Sequence, residues 1–286
     1  MAAVSQGLAP PVVLIPVCVD EAVLDGCLAA LEASTPAGTR VWLADDAQAG
    51  PRAVAMIQGW LARTRMQAAH TRRTRRIGEA AHLDDALRAC GDADVAILAA
   101  DTRVTPGWLQ QLAACLARDP TVATATPWSN AGEAAAWPRI GEIVALDEHP
   151  SRLARACAGL RPTCPDLPAA VGHAVLIRGS ARMRAGGLDA ASFHSWYAAL
   201  ADFSLRLSGL GWRNALCETA FVLRDDEGRP LPGDMDRLSV RWPAWHARLA
   251  QCLMDDPLHE LRAQLGETLA GLDGGSVQAD LFSLPP

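Results

Sequence analysis

The fold is decided by a short apolar run that ends in two carboxylates, VWLADD at residues 41–46. Two runs of the same character flank it, VVLIPVC at residues 12–18 and VAILAAD at residues 95–101. Continuous apolar runs of this length predict strands buried on both faces of a sheet. Apolar residues recur at helical spacing in four intervening or following segments, 21–33, 52–65, 79–90 and 106–117. This alternation predicts an α/β protein with an open, mostly parallel sheet and helices on both faces.

The second half of the chain is less regular. Residues 169–178 and 220–223 predict two further strands, and residues 203–210 predict a helix. Residues 126–130 and the proline-rich stretch 162–168 predict loops.

The hydrophobic pattern changes after residue 232. Beyond it we expect two amphipathic helices, broken near Asp256–Pro257, and a mobile tail after Gly274. We therefore divide the chain into a domain of residues 1–232 and a C-terminal helical extension with a mobile tail, residues 233–286.

Composition excludes several classes of protein. The chain has 286 residues, of which 50% are hydrophobic and 20% charged, so a disordered or fibrous protein is excluded. The net charge of −6 gives no general basic field for nucleic acid. There is no apolar run of about 18 residues, as a membrane span would need, and no basic start typical of a signal peptide. The eight cysteines form no CxxC pair, so we expect reduced thiols and a cytoplasmic protein.

Carboxylates stand where two of the predicted strands end, namely Asp45 with Asp46 and, further along, Asp101. In open parallel sheets, ligands bind at the carboxyl ends of the strands. Carboxylates there can bind a base or a sugar, or hold a divalent cation. One aspartate alone is equally typical of a turn. Two such strand ends together predict a ligand site.

The order of the motifs resembles that of the family 2 glycosyltransferases, which have the GT-A fold. The resemblance covers residues 10–232 and begins with IPV at 15–17, LADD at 43–46, Gly78 followed by Asp84, LAADT at 98–102 and VTPGWL at 104–109. It continues through TPWSN at 126–130, residues 172–178, GGLD at 186–189, DFSLR at 202–206 and GWR at 211–213. Each motif alone is weak, and the ordered set carries the resemblance.

The resemblance implies a reaction. A nucleotide-diphosphate sugar would lie across the strand ends, and a divalent cation, Mn²⁺ or Mg²⁺, would bridge its diphosphate. A carboxylate base would deprotonate a glycan, lipid-linked or protein acceptor, and the sugar would transfer with inversion, as in polysaccharide biosynthesis.

The resemblance also implies which residues form the site. The implied nucleotide-binding residues are Pro16, Val17, Asp45, Asp46, Arg76, Gly78, Asp84 and Asp101. Asp101 is also the implied metal ligand, and Trp196 with Tyr197 would face the acceptor.

The chain departs from the family pattern at three positions of this implied site. Ala99 replaces the first acid of the usual Asp-x-Asp, which leaves Asp101 alone. Leu200 stands at the base position and cannot accept a proton, and loss of a general base typically slows a reaction by about 10²- to 10⁴-fold. Arg224 stands where the family often has a metal-binding histidine. It is either a surface arginine or a direct counter-ion for the diphosphate, so a metal-free site is the alternative.

Asp202 is the one acid retained near the base position. It can be a helix N-cap, the partner of an arginine, or a catalytic replacement.

The sequence leaves two candidate functions for the chain. The chain is either a divergent, active glycosyltransferase or a catalytically impaired relative that serves as a binding or partner subunit. The sequence leaves the sugar, the acceptor and the oligomeric state open.

Overall fold

A computed structural model describes residues 10–17, 20–146, 148–224 and 230–272, and the backbone of residues 273–280. The strands are β1 (Val12–Pro16), β2 (Arg40–Asp45), β3 (Gln67–Arg72), β4 (Val95–Leu98), β5 (Thr102–Val104), β6 (Val122–Ser129), β7 (Ala174–Ile177) and β8 (Arg213–Arg224). The first helices are α1 (Glu21–Ser34), α2 (Pro51–Leu61), α3 (Glu79–Ala89), α4 (Trp108–Arg118) and α5 (Pro150–Ala158). The later helices are α6 (Gly179–Ala185), α7 (Trp196–Gly209), α8 (Asp234–Arg241), α9 (Trp245–Asp255) and α10 (His259–Asp280).

The eight strands form one sheet in the order β3-β2-β1-β4-β7-β6-β8-β5. The first four are parallel, as the alternation of strands and helices predicts. Strand β7 then runs antiparallel between β4 and β6, and β5 runs antiparallel to β8 at the far edge. The α/β prediction is confirmed, with a sheet that is parallel in its first half and mixed in its second.

Side chains of successive residues in β1 enter two different cores, which explains why the whole strand is apolar. Val13 and Ile15 pack in the cluster that contains residues of α1, α2 and α4. Leu14 packs in the cluster formed with α3, α6 and α7. Because side chains alternate across a strand, a sheet with helices on both faces needs apolar residues at every position.

The prediction of a loop at residues 126–130 is wrong for most of that segment, because β6 extends to Ser129. Pro127 has no N–H to donate to a neighbouring strand, which is why the sequence favours a loop. The pairing of β6 with β8 shifts register between Pro127 and Trp128, and the strand passes the proline at this irregularity.

The C-terminal region forms three helices where the sequence predicts two. The predicted break at Asp256 is present between α9 and α10, and an additional break separates α8 from α9. Helix α10 packs on α5, and its Leu265 and Leu269 belong to the apolar cluster that contains Trp128 of β6 and Phe221 of β8. The backbone is helical to Asp280, beyond the start of the predicted tail, and residues 281–286 lie outside the described part. Among the residues that the structure describes, none of the helices combines the length and hydrophobicity needed to cross a bilayer.

Candidate functional site

A cavity of about 1210 Å³ opens at the carboxyl ends of β1, β2 and β4. Pro16, Asp46 and Asp101 reach it from these three strand ends. The strands are neighbours and parallel, so their carboxyl ends meet at one edge of the sheet. The two acidic strand ends singled out from the sequence therefore share one cavity.

Asp46 shapes one wall of the cavity by fixing a loop. Its carboxylate accepts hydrogen bonds from the backbone N–H of Ile77, at 2.9 Å, and of Gly78, also at 2.9 Å. Gly78 has a φ of 100°, a conformation that a side chain would strain, and it begins α3. This anchoring places the loop residue Arg76 at the cavity, where Val17 also lies.

Asp45 and Asp84, both implied nucleotide-binding residues, lie outside the cavity lining. The Asp45 carboxylate accepts N–H groups of Gln48, at 2.7 Å, and Ala49, at 3.2 Å, so it closes the turn after β2. Asp84 accepts the N–H of Leu188 at 2.9 Å. Both acids are buried and hold backbone in place. Their predicted contact with a nucleotide stays a prediction.

An ion pair joins Asp101 to Arg224 across the cavity wall. The Arg224 Nε lies 3.1 Å and its Nη2 2.5 Å from the same Asp101 oxygen, Oδ2. The pair forms because β5, which follows Asp101, runs antiparallel to β8 with Thr102 opposite Arg224. The side chain of Asn130 holds the main chain of Arg224: it accepts a hydrogen bond from the Arg224 N–H at 2.7 Å and donates one to the Arg224 carbonyl at 2.8 Å.

The residues at this wall do not fit a divalent cation. The one acid at the strand end already accepts two guanidinium N–H groups, and a cation there would lie beside a fixed positive charge. No group of three or more histidine, cysteine, aspartate or glutamate side chains that could hold a metal exists among the described residues. The ligation of a cation by Asp101 stays a prediction, and the ion pair argues against it.

His173 is a third buried side chain at this wall, and the sequence gives no metal-ligand spacing that would single it out. Its Nε2 donates to the carbonyl of Pro127 at 3.1 Å, while its Nδ1 has no hydrogen-bond partner within the described residues. Burial and the nearby charge of Arg224 lower its pKa to about 3. His173 is therefore neutral at physiological pH.

Helix α7 forms the opposite wall. It begins after Ser195, whose Oγ donates to Asp234 of α8 at 2.6 Å, and Glu79 accepts the backbone N–H of Trp196 at 2.7 Å. These contacts fix the first turn, and Trp196, Tyr197 and Leu200 all line the cavity. The aromatic pair and the apolar replacement at the base position thus share the cavity with the strand-end carboxylates.

Asp202 lies outside the cavity lining and links two helices. Its Oδ2 accepts from Arg206 Nε at 2.8 Å, and its Oδ1 accepts from Arg241 at 3.1 Å and from Trp242 Nε1 at 2.9 Å. The side chain has no exposed surface. Of the roles considered from the sequence, this geometry matches the arginine partner, and the catalytic role stays a prediction.

Three acids line the cavity that sequence reasoning missed, Asp20, Glu79 and Glu133. Burial raises the pKa of Glu79, although the Trp196 N–H and Arg76 act in the opposite direction. Glu133 accepts the Tyr197 hydroxyl at 2.6 Å. The sequence could have indicated Glu79, because it directly follows Gly78 of the quoted motif. It could not have indicated Glu133, which reaches the cavity only through the packing of the segment after β6.

Comparisons with known proteins bear on the fold and on the family of this chain. No protein with curated annotation matches the sequence. By structure, the chain is similar to GalNAc-T7, solved with UDP, GalNAc and Mn²⁺, with a TM-score of 0.64 and 13% identity over 92% of this chain. The chain spans 55% of the length of that protein.

Two further solved structures have the same fold. The mannosyltransferase PcManGT from Pyrobaculum calidifontis, in complex with GDP-Man and Mn²⁺, has a TM-score of 0.56 and 16% identity, over 97% of this chain and 84% of its own. TarS of S. aureus, residues 1–349 in complex with UDP-GlcNAc, has a TM-score of 0.54 and 11% identity, over 91% and 72% of the two chains.

The sequence also matches a family model directly. The model described as glycosyl transferase family 2 covers residues 12–178, which include the strand ends of β1, β2 and β4 and the loop that carries Gly78. This match spans more than half of the chain, and the chain therefore belongs to glycosyltransferase family 2.

Proposed function

We propose that the protein binds a nucleotide-diphosphate sugar in the strand-end cavity and transfers the sugar, with inversion, to an acceptor hydroxyl. The carrying observation is that Asp46, Asp101 and the first turns of α7 line one cavity of about 1210 Å³. Ligand pockets commonly have volumes of about 300–1,000 Å³, so this one has room for a nucleotide sugar and part of an acceptor.

The polar and apolar residues of the cavity divide it into two halves. The loop held by Asp46, with Arg76, offers polar groups for the nucleotide. Trp196 and Trp245 offer aromatic surface on the side of the C-terminal helices. This division supports a donor half at the strand ends and an acceptor half at the helices.

Transfer needs a base, and Leu200 cannot act as one. Tyr197 lies three residues before Leu200 on α7, so the two side chains share a helix face. The Tyr197 hydroxyl donates to Glu133, and Glu133 lines the same cavity as Leu200. We assign Glu133 as the base. The acceptor oxygen attacks the anomeric carbon, its proton passes to the Glu133 carboxylate, and the diphosphate leaves with the electron pair of the broken C–O bond.

A binding panel tests the donor half. Calorimetry with UDP-, GDP- and other nucleotide sugars should find at least one donor that binds the wild type. Arg76→Ala should weaken that donor by about 10-fold, as the loss of one charged hydrogen bond does, and Arg75→Ala, in the same loop but outside the cavity lining, should not. If no donor binds, or if both variants behave alike, the assignment of the donor half is wrong.

A second experiment tests the transfer. Donor hydrolysis and transfer to a panel of sugar acceptors, followed by NMR of the anomeric configuration, should show an inverted product. Glu133→Gln should lower the rate by about 10²- to 10⁴-fold with donor affinity unchanged. A wild type that binds the donor without turnover would contradict the transferase.

The impaired relative is the second candidate function, because Leu200 is 1% exposed in an apolar cluster and is thus packed as part of the core. If the chain is an impaired relative, the wild type should bind the donor without turnover. Transfer activity should then appear only in the variant that carries both Leu200→Asp and Ala99→Asp.

A further inference from the structure

The ion pair between Arg224 and Asp101 holds a guanidinium group at the strand end. Arg224 is 8% exposed and Asp101 is 21% exposed, and both line the cavity. The main-chain N–H and carbonyl of Arg224 are both fixed by hydrogen bonds to the side chain of Asn130. The charge is therefore held in a defined position, at the wall where a cation would otherwise be bound.

A guanidinium suits a diphosphate in this position. It keeps its charge at any physiological pH, and its planar fork of five N–H groups matches phosphate oxygens in bidentate pairs. The contact with Asp101 uses Nε and Nη2 alone. The same side chain therefore has further donors for a second anion.

Two guanidinium groups of the described residues line the cavity, and Arg224 is the one paired with the acid at the end of β4. His173 is neutral, since burial and the charge of Arg224 lower its pKa to about 3. Asp46 is occupied by two backbone N–H groups and Glu133 by the Tyr197 hydroxyl. Arg76, at the loop held by Asp46, is a second guanidinium that lines the cavity.

We propose that this site binds the diphosphate of its nucleotide without a divalent cation, with Arg224 as the counter-ion and Asp101 as a positioning residue that orients the guanidinium. The proposal rests on the proposed function, in which a nucleotide diphosphate occupies the cavity. It differs from what the resemblance implies, in which Asp101 is a metal ligand. Asp101 then holds Arg224 through Nε and Nη2 instead of supporting a cation.

The test is calorimetry with UDP, GDP, ADP and CDP, each titrated into the wild type in EDTA and again with added Mn²⁺. The tightest binder should have the same affinity in both buffers, within about 2-fold. Arg224→Ala should weaken it by about 10- to 100-fold in EDTA, which corresponds to the loss of a charged hydrogen-bonding group. The matched control is Arg103→Ala, which removes the same charge from an exposed arginine of β5 outside the cavity lining.

Asp101→Asn separates the two roles of the carboxylate. If Asp101 positions Arg224, the variant binds the diphosphate more weakly than the wild type, by the same factor in EDTA and in Mn²⁺. If Asp101 is a metal ligand, the variant loses binding that depends on Mn²⁺. Thermal melting of each variant in the same buffers shows that it is folded.

The possible failures are distinguishable. Affinity that rises about 10-fold or more with Mn²⁺, or equal effects of Arg224→Ala and Arg103→Ala, would overturn the cation-free site and leave the proposed nucleotide site standing. Failure of every diphosphate to bind in both buffers would overturn both proposals.

Discussion

Replacing Asp202 by alanine should destabilise the protein, because it removes the hydrogen bonds that connect α7 to α8. The buried carboxylate accepts hydrogen bonds from Arg206 of α7, from Arg241 at the end of α8, and from Trp242 directly after it. Alanine removes all three contacts at once. It also leaves the guanidinium of Arg206 without its carboxylate partner, whereas Arg241 keeps Asp189.

The size of the effect follows from burial. Removing one partner of a fully buried ion pair costs about 3–5 kcal/mol. Here the Asp202 side chain has no exposed surface, whereas the side chains of Arg206 and Arg241 are 25% and 36% exposed, so water partly replaces the lost acceptor. We therefore expect a loss of about 2–4 kcal/mol in the free energy of unfolding, or about 4–10 °C in Tm.

The assay is guanidinium chloride unfolding followed by tryptophan fluorescence, with Asp189→Ala as the control. Asp189 contacts the same Arg241 at 2.7 Å, but its side chain is 28% exposed. Its loss should change the free energy of unfolding by less than about 1 kcal/mol. If Asp202→Ala is as stable as Asp189→Ala, or if it keeps full stability and loses only transfer activity, the structural assignment of Asp202 is refuted.

Three further predictions concern stability. The folded state keeps His173 neutral, with a pKa of about 3, whereas an unfolded histidine titrates near pH 6.5. The free energy of unfolding should therefore fall as the pH drops below about 6.5, by about 2–3 kcal/mol between pH 7 and pH 4.5. His173→Gln should remove this part of the pH dependence in denaturant titrations. Gly187→Ala would place a Cβ 2.6 Å from Asp84 Oδ1, at a φ of 80°. It should lower the free energy of unfolding more than Gly186→Ala, because Gly186 has a similar φ of 83° and open space around it. Equal losses in the two variants would contradict this. Arg262→Ala should lower the free energy of unfolding by about 3 kcal/mol, because it leaves the buried carbonyls of residues 134 and 136 without their donor, whereas Arg248→Ala on the exposed face of α9 should be neutral in the same assay.

The first half of the fold could be predicted from the sequence because its elements are long or wholly apolar. Strand β4 occupies the first four residues of the apolar run quoted at 95–101, and α1 ends one residue beyond the predicted helix. Strand β3 was missed because it is an edge strand with mostly exposed or half-buried residues, so it lacks an apolar run. Strand β5 has three residues, too few for any periodicity.

The candidate site was predictable in part. Parallel strands bring their carboxyl ends together, so the meeting of Asp46 and Asp101 follows from the order of elements alone. The pairing of Asp101 with Arg224 does not, because it depends on the register of β5 against β8. The approach of Glu133 to Tyr197 was also beyond the sequence, since it joins residues on two segments with no shared pattern.

The antiparallel pairing of β5 with β8 has a consequence for how such a cavity can change. Among the described strands, β5 is at the edge of the sheet and pairs only with β8, whereas β8 is also held by β6. A single insertion or deletion beside this three-residue strand would therefore shift β5 against β8 and move Asp101 away from Arg224, which would leave the guanidinium without its carboxylate partner. No residue of the cavity itself would need to be substituted, and relatives that differ only in this edge pairing should differ in the counter-ion they require.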